Sequence, residues 1–163
     1  MTKPVDVTLP SDLEVTVTRV FDAPRALVYE AHTEPALVQR WLLGPPGWTM
    51  PICEIDLREG GAYRYVWRND QNGEQFGFQG IYNEIQGPER VVHTERWDGT
   101  APSADDPVCT LTLTERDGRT TLSHSMRFTS KEARDAAVKT GMTDGMAQSY
   151  DRLEREVLAG QKA

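Results

Sequence analysis

The feature that most constrains the fold is a run of alternating segments in the middle of the chain. Between about residues 52 and 128 the sequence holds six strand candidates, at 52–58, 62–68, 75–85, 90–97, 108–115 and 119–128. Short turn-forming links separate them, and Asp117-Gly118 is a strong hairpin signal. Because parallel neighbours would need long crossover connections, consecutive strands with short links predict an antiparallel meander.

A shorter pattern precedes the meander. From Leu13 to about Phe21 apolar and polar residues alternate, which is typical of a strand with one buried face. Asp22 and Pro24 then give the start signals of a helix, and residues 33–35 repeat such signals for a second helix. The sequence therefore predicts seven strands in all, with two short helices between the first strand and the second.

A helical pattern follows the meander. Thr129 and Glu132 have the spacing of a capping box, and apolar residues then recur every three or four positions for about 28 residues. One continuous helix of that length would measure roughly 40 Å, so it must lie across the sheet. Gly141 and Gly145 fall inside it, and each costs roughly 1 kcal/mol relative to alanine. Close approach of a loop, or room above a cavity, would explain them, and the segment between them is a candidate for local distortion.

Length and composition indicate one globular domain. The 163 residues are 38% hydrophobic, which is enough for an independent core without disulfide bonds. We expect a single domain over residues 13–160, preceded by a flexible arm over residues 1–12. Cys53 and Cys109 lack the spacing of a metal site or a disulfide framework, so we expect two free thiols in a reducing compartment.

The charge and hydropathy patterns restrict the partners. With 18 basic and 25 acidic side chains the net charge is −7, and a surface of that sign does not favour nucleic acid or anionic lipid. No segment approaches the roughly 20 apolar residues that span a bilayer, and the first residues lack the apolar stretch of a secretory leader. We therefore expect a cytoplasmic protein with no nucleic-acid partner and no membrane insertion.

Motifs for a specific reaction are lacking. The sequence contains no GxSxG, HExxH, Walker-type or GxGxxG motif, so no residue is assigned to catalysis and no cofactor is predicted. His93 and His124 occupy strand positions that share a face with apolar residues, and Glu95 lies on the same face as His93. Without a third ligand at a suitable spacing the histidines predict no metal site, and polar positions in a core or pocket wall explain them better.

Aromatic side chains concentrate on the faces of consecutive strands: Tyr63, Tyr65 and Trp67, then Phe76, Phe78 and Tyr82, then Trp97. A strand face that carries three rings is unusually voluminous. These rings either fill a solid core or line a cavity beneath the closing helix, where Met142 and Met146 would supply adaptable apolar contacts. The residues alone leave both alternatives open.

Several segments carry a family resemblance. They are TRVFDAPRALVYEA at 18–31, PALVQRW at 35–41 with GPPG at 44–47, EIDLREGGAY at 54–63, FGFQGIYNE at 76–84, PERVVHTERW at 88–97 and GMTDGMAQSYDRLER at 141–155. In this order and spacing they resemble the activator of heat-shock-protein-90 ATPase homologue-like family, within the START-like (SRPBCC) superfamily of polyketide cyclases and lipid-transport proteins. Two departures are His32, where the family commonly has tryptophan, and one extra residue after Trp41, and both alter the surroundings of the presumed cavity mouth.

This resemblance implies a helix-grip fold of the α+β class. In that fold a seven-stranded curved antiparallel sheet wraps around a long C-terminal helix, with the strand order 1-7-6-5-4-3-2. The resemblance also implies an internal cavity between the sheet and the helix. It does not imply one function, because the superfamily serves several.

The leading interpretation is a protein that binds a small hydrophobic or aromatic ligand in an internal cavity. The candidate ligand-binding residues are Trp41, Trp48, Tyr65, Trp67, Phe78, His93, Glu95, Trp97, His124, Met126, Met142, Met146 and Tyr150. One alternative is an enzyme of the cyclase, dehydratase or hydrolase type that uses a cavity histidine or glutamate as acid and base. Another is a chaperone-binding regulatory module. A homodimer is also open, because both edge strands of the sheet invite pairing.

Overall fold

A curved antiparallel sheet forms most of the molecule. The structure, a computed structural model, describes residues 5–159. The strands are β1 (Asp6–Thr8), β2 (Glu14–Phe21), β3 (Trp48–Ile55), β4 (Ala62–Asn69), β5 (Gln75–Gln86), β6 (Arg90–Thr94), β7 (Arg96–Trp97), β8 (Val108–Arg116) and β9 (Arg119–Arg127). Their order is β1-β2-β9-β8-β6-β5-β4-β3, and β7 pairs with β5. The predicted order is confirmed, since β2 and β3 are the first and second of the seven predicted strands.

Helices pack against one face of this sheet. The two short helices α1 (Arg25–Thr33) and α2 (Pro35–Trp41) connect β2 to β3, as predicted. After β9 come α3 (Lys131–Lys139) and α4 (Met142–Arg152), and a π-helical segment over Leu153–Leu158 continues α4. Within residues 5–159 no helix combines the length and the apolar character that crossing a membrane requires.

The closing helical region is divided, whereas the sequence predicts one continuous helix. The division lies at Gly141, whose φ of +82° is in the left-handed region that favours glycine. α3 ends just before this residue and α4 starts just after it. The cap also differs from the prediction, because Ser130 and not Thr129 accepts a hydrogen bond from the Ala133 N–H, at 3.1 Å.

The described part of the chain has two strands more than the predicted seven. Residues 6–8, from the arm expected to be flexible, pair with β2 as an edge strand, while residues 1–4 of that arm lie outside the described residues. The strand expected over residues 90–97 is split into β6 and β7. At the split the Ile81 N–H donates to the side-chain oxygen of Thr94, at 3.0 Å, so a side chain interrupts the backbone ladder.

The apolar core lies where β2, β8 and β9 face the end of the closing helical region. Phe21 and Leu122 are completely buried there. Arg19 lies on the same face of β2 and forms ion pairs with Asp151 at 2.9 Å and with Glu154 at 3.3 Å. These contacts hold the end of the helical region against the sheet, and the interior beneath the start of α4 is left more open.

Candidate functional site

A cavity of about 760 Å³ lies between the sheet and α4. The structure brings all thirteen candidate residues to its wall: Trp41, Trp48, Tyr65, Trp67, Phe78, His93, Glu95, Trp97, His124, Met126, Met142, Met146 and Tyr150. Of the two arrangements that the sequence leaves open, these rings adopt the one in which they line a hollow. Their role in ligand binding stays a prediction.

The glycine within α4 faces this open space. A Cβ atom built on Gly145 would meet no atom within 4 Å, and its backbone is not left-handed, so neither close packing nor backbone geometry requires glycine there. Gly145 therefore borders the cavity, and nothing in its surroundings would exclude a larger side chain. The other glycine of the pair, Gly141, is explained by the left-handed turn that separates α3 from α4.

Three polar side chains of the wall, His93, Glu95 and His124, form a group that we call the polar cluster. His93 is on β6, His124 is on β9, and Glu95 occupies the split between β6 and β7. The Nδ1 atom of His93 lies 3.0 Å from the Thr94 carbonyl oxygen. Within residues 5–159 neither the Glu95 carboxylate nor the His124 ring has a hydrogen-bond partner. The polar cluster therefore has free hydrogen-bonding capacity inside a largely apolar cavity.

Burial shifts the pKa values of the polar cluster towards uncharged side chains. It raises the pKa of Glu95 from 4.5 to about 7. It lowers the pKa of His93, and it lowers that of His124 from 6.5 to about 3, with the positive charges of nearby His93 and His32 adding to the effect. At neutral pH both histidines are therefore uncharged, and Glu95 is divided between its acid and carboxylate forms.

Five rings form an open part of the cavity wall, which we call the aromatic mouth: Trp48, Trp67, Phe76, Phe78 and Trp97. The centroids of Phe78 and Trp97 are 4.7 Å apart, and Phe76 lies 5.2 Å from both Trp48 and Trp67. Phe76 is 39% exposed and Trp97 is 58% exposed, so this end of the cavity opens to solvent. Such a mouth offers apolar contact to a guest that enters from outside.

Hydrogen bonds fix the loop that closes one side of the cavity. The Gly44 N–H donates to the Ser149 hydroxyl at 2.8 Å, and Arg152 donates to the Gly44 carbonyl oxygen at 2.9 Å. On the other side of the loop, Trp67 Nε1 donates to the Leu42 carbonyl oxygen at 2.6 Å. Because α4 and β4 both bind the loop, this part of the wall is held in place before any ligand arrives.

The described wall also contains residues outside the candidate set, among them His32, Phe76 and Tyr82. His32 packs edge-on against Trp41 with ring centroids 4.8 Å apart, and its Nδ1 atom lies 2.7 Å from the Val28 carbonyl oxygen. The sequence holds a signal for Phe76 and Tyr82, since both share strand faces with candidate rings. It marks His32 as a departure from the family pattern, but the direction of that side chain depends on how α1 packs.

The described residues offer no ready metal site. Within residues 5–159 no group of three or more His, Cys, Asp or Glu side chains is placed to hold a metal ion. Cys53 and Cys109 are free thiols, as predicted, and β4, β5 and β6 lie between their strands. The chemistry that the described cavity offers comes from apolar contact and from the polar cluster.

Fold and cavity together define the class of protein. A curved antiparallel sheet closed by a C-terminal helical region, with two short helices after its first main strand, is the helix-grip architecture of the START-like superfamily. Residues 22–157 match the family model of the Activator of Hsp90 ATPase homolog 1-like proteins. The chain therefore belongs to this family.

Solved structures with the same fold come from several organisms. A Rhodobacter sphaeroides protein is 29% identical with a TM-score of 0.87, covering 97% of this chain and 100% of that one. A Chromobacterium violaceum protein is also 29% identical, with a TM-score of 0.75 and coverages of 88% and 96%. An HSP90 activator from Plasmodium falciparum is 17% identical with a TM-score of 0.58, covering 82% and 89%, and shares the fold alone. No curated protein matches the chain in sequence.

Proposed function

We propose that the protein binds a small hydrophobic or aromatic molecule in the cavity beneath α4. The observation that carries the proposal is a hollow of about 760 Å³ with a wall made mainly of aromatic and aliphatic side chains. Ligand sites in proteins are typically concave and mostly apolar, with a few polar groups that orient the guest. The polar cluster supplies such groups, and Met142 and Met146 supply contacts that adapt to guests of different shape.

Apolar burial is large enough to give measurable affinity. A planar aromatic guest that buries about 300 Å² of apolar surface would gain roughly 8 kcal/mol before the costs of association. Dissociation constants of 1 μM and 1 mM correspond to about 8 and 4 kcal/mol. We therefore expect a simple polycyclic probe to bind with a Kd between these two values.

A ring placed inside the cavity tests the proposal. Gly145→Phe directs an aromatic side chain into the open space, while the matched control Gly145→Ala adds only a methyl group there. Binding of 1-methoxypyrene is followed by its fluorescence anisotropy. We expect Gly145→Phe to weaken binding at least tenfold and Gly145→Ala to change it less than threefold. Equal affinity for the wild type and Gly145→Phe, or no binding by the wild type, contradicts the proposal.

The state of Glu95 favours a second function, acid and base catalysis on the bound molecule. A carboxyl group with a pKa of about 7 suits proton transfer at neutral pH, and it shares the cavity wall with the uncharged ring of His124. Hydrolysis of 1-pyrenyl acetate, which releases 1-hydroxypyrene, provides an assay. The catalytic function predicts turnover that Glu95→Gln removes. Equal rates for the wild type, Glu95→Gln and buffer count against it.

We also propose that the protein forms a homodimer and that it is cytoplasmic. The described sheet ends in β1 on one side and β3 on the other, and either edge offers unpaired backbone groups for a homodimer in the cytoplasm. Light scattering during size-exclusion chromatography tests the dimer. A monomer mass at high micromolar concentration contradicts this part of the proposal.

A further inference from the structure

Two of the four tryptophans in the described cavity wall have their indole N–H engaged by the protein, whereas Trp48 and Trp97 belong to the aromatic mouth. Trp41 Nε1 donates to the Ala31 carbonyl oxygen at 2.9 Å, and Trp67 Nε1 donates to the Leu42 carbonyl oxygen at 2.6 Å. A ligand would have to break an existing bond to use either of these indole groups.

Two wall histidines each keep one ring nitrogen that no described residue binds. The Nδ1 atoms of His32 and His93 lie 2.7 Å and 3.0 Å from the carbonyl oxygens of Val28 and Thr94. A carbonyl oxygen only accepts, and burial lowers the pKa of both rings, so each uncharged ring carries its proton on Nδ1. The Nε2 atom of each ring is therefore a lone-pair acceptor, available to a ligand.

Glu95 adds acceptor capacity at the same wall. Within residues 5–159 its carboxylate has neither an ion pair nor a hydrogen bond, and the guanidinium Nε of its neighbour Arg96 donates to the Thr100 carbonyl oxygen at 2.9 Å. The His124 ring and the Tyr150 hydroxyl each supply one donor and one acceptor, so neither adds an acceptor without a matching donor. Glu95 and His93 therefore carry acceptor atoms to which no donor of the described residues is bonded.

We propose that the cavity selects an aromatic ligand whose head group donates a hydrogen bond, such as a phenol, over the same ring system with an ether or carboxylate head. This inference rests on the proposed function, because it names the ligand class of the same cavity. A hydroxyl group satisfies an acceptor that otherwise stays unpaired. An ether offers only a further acceptor, and a carboxylate would place a second negative charge near Glu95. Arg96, the cationic residue of the described wall, already donates to the Thr100 carbonyl oxygen and acts on the Asp98 carboxylate.

Three pyrene probes with one apolar body separate the head group from the ring system. Anisotropy titrations at pH 7.5 compare 1-hydroxypyrene, 1-methoxypyrene and pyrene-1-carboxylate. We expect the hydroxyl probe to bind about tenfold more tightly than the methoxy probe, since only the hydroxyl probe can donate a hydrogen bond to the charged carboxylate. We expect the carboxylate probe to bind most weakly. If the methoxy or carboxylate probe binds as tightly as the hydroxyl probe, the inference fails while the proposed function stands.

Variants at Glu95 assign the preference to this residue. Glu95→Leu should reduce the hydroxyl-to-methoxy affinity ratio to about twofold or less and leave the affinity for the methoxy probe within threefold. The methoxy probe thus reports that the variant is folded. Glu95→Gln keeps an acceptor oxygen without the charge and should give an intermediate ratio. A tenfold ratio that persists in both variants overturns the inference, whereas failure of every probe to bind the wild type overturns the proposed function itself.

Discussion

Replacing Glu95 with glutamine should stabilise the protein at alkaline pH and have little effect in acid. Burial raises the pKa of Glu95 from 4.5 to about 7, so the folded protein keeps a proton that the unfolded chain loses between these values. Because the pKa of Glu95 is higher in the folded protein, its contribution to the free energy of unfolding is complete below pH 4.5. This contribution is lost as the pH rises through about 7. Glutamine carries no charge at any pH and avoids this loss.

The size of the effect follows from the two pKa values. The interval from 4.5 to about 7 corresponds to about 3 kcal/mol of free energy of unfolding. Solvent that reaches the cavity screens part of this penalty, so we expect Glu95→Gln to be about 1–3 kcal/mol more stable than the wild type at pH 8.5. The lowered pKa values of His32 and His124 have the opposite sign, since the stability they confer is present above pH 6.5 and lost in acid. Both proteins contain these histidines, so their contribution cancels in the comparison.

Urea unfolding of both proteins from pH 4.5 to pH 8.5 measures this difference. The account predicts a difference in free energy of unfolding that is smallest at pH 4.5, rises mainly between pH 5 and pH 7.5 and then levels off. The acid end serves as the control, because there Glu95 is protonated in the folded protein and only half ionised in the unfolded chain. A difference that stays constant over this range would refute the reasoning, since it would mean that Glu95 ionises as easily in the folded protein as in the unfolded chain.

Three further substitutions probe the scaffold around the cavity by urea unfolding. Arg19→Met should cost about 3 kcal/mol, because it removes a buried guanidinium, only 2% exposed, that forms ion pairs with Asp151 and Glu154. A loss below 1 kcal/mol would contradict the anchoring role. Ser130→Ala should cost about 1 kcal/mol, because it removes the side-chain cap of α3. The neighbouring control Thr129→Ala should change stability by less than about 0.5 kcal/mol. Equal effects of the two substitutions would contradict the assigned cap. Gly145→Ala should stabilise by about 0.5–1 kcal/mol, because its methyl group meets open space, and destabilisation would indicate that no hollow lies there.

The sheet could be predicted from the sequence because its signals are local. Alternation identified the segments of β2, β4, β8 and β9 closely, and the short links and the family resemblance together gave the strand order. The split between β6 and β7 depends on a contact between Thr94 and Ile81 across two strands, which alternation does not reveal. Likewise the glycine pair of the closing helical region signals an irregularity, but only the backbone shows that Gly141 turns and Gly145 faces open space.

The wall of the candidate site could be predicted further than its chemistry. Alternation along the strands and the family resemblance predicted thirteen residues at the cavity wall, and all of them line one cavity. The free carboxylate of Glu95 and the Nδ1 protonation of His93 depend on which atoms lie opposite each side chain in the fold. His32 is missing from the set because a residue on a short helix faces the interior or solvent according to tertiary packing.

The most direct test of the central claim is a crystal structure of the protein grown with 1-hydroxypyrene. The account predicts one ring system between α4 and the sheet, with its hydroxyl group within hydrogen-bond distance of Glu95 or of the His93 Nε2 atom. Wall side chains that collapse into a solid interior, with the probe bound elsewhere on the molecule, would contradict it.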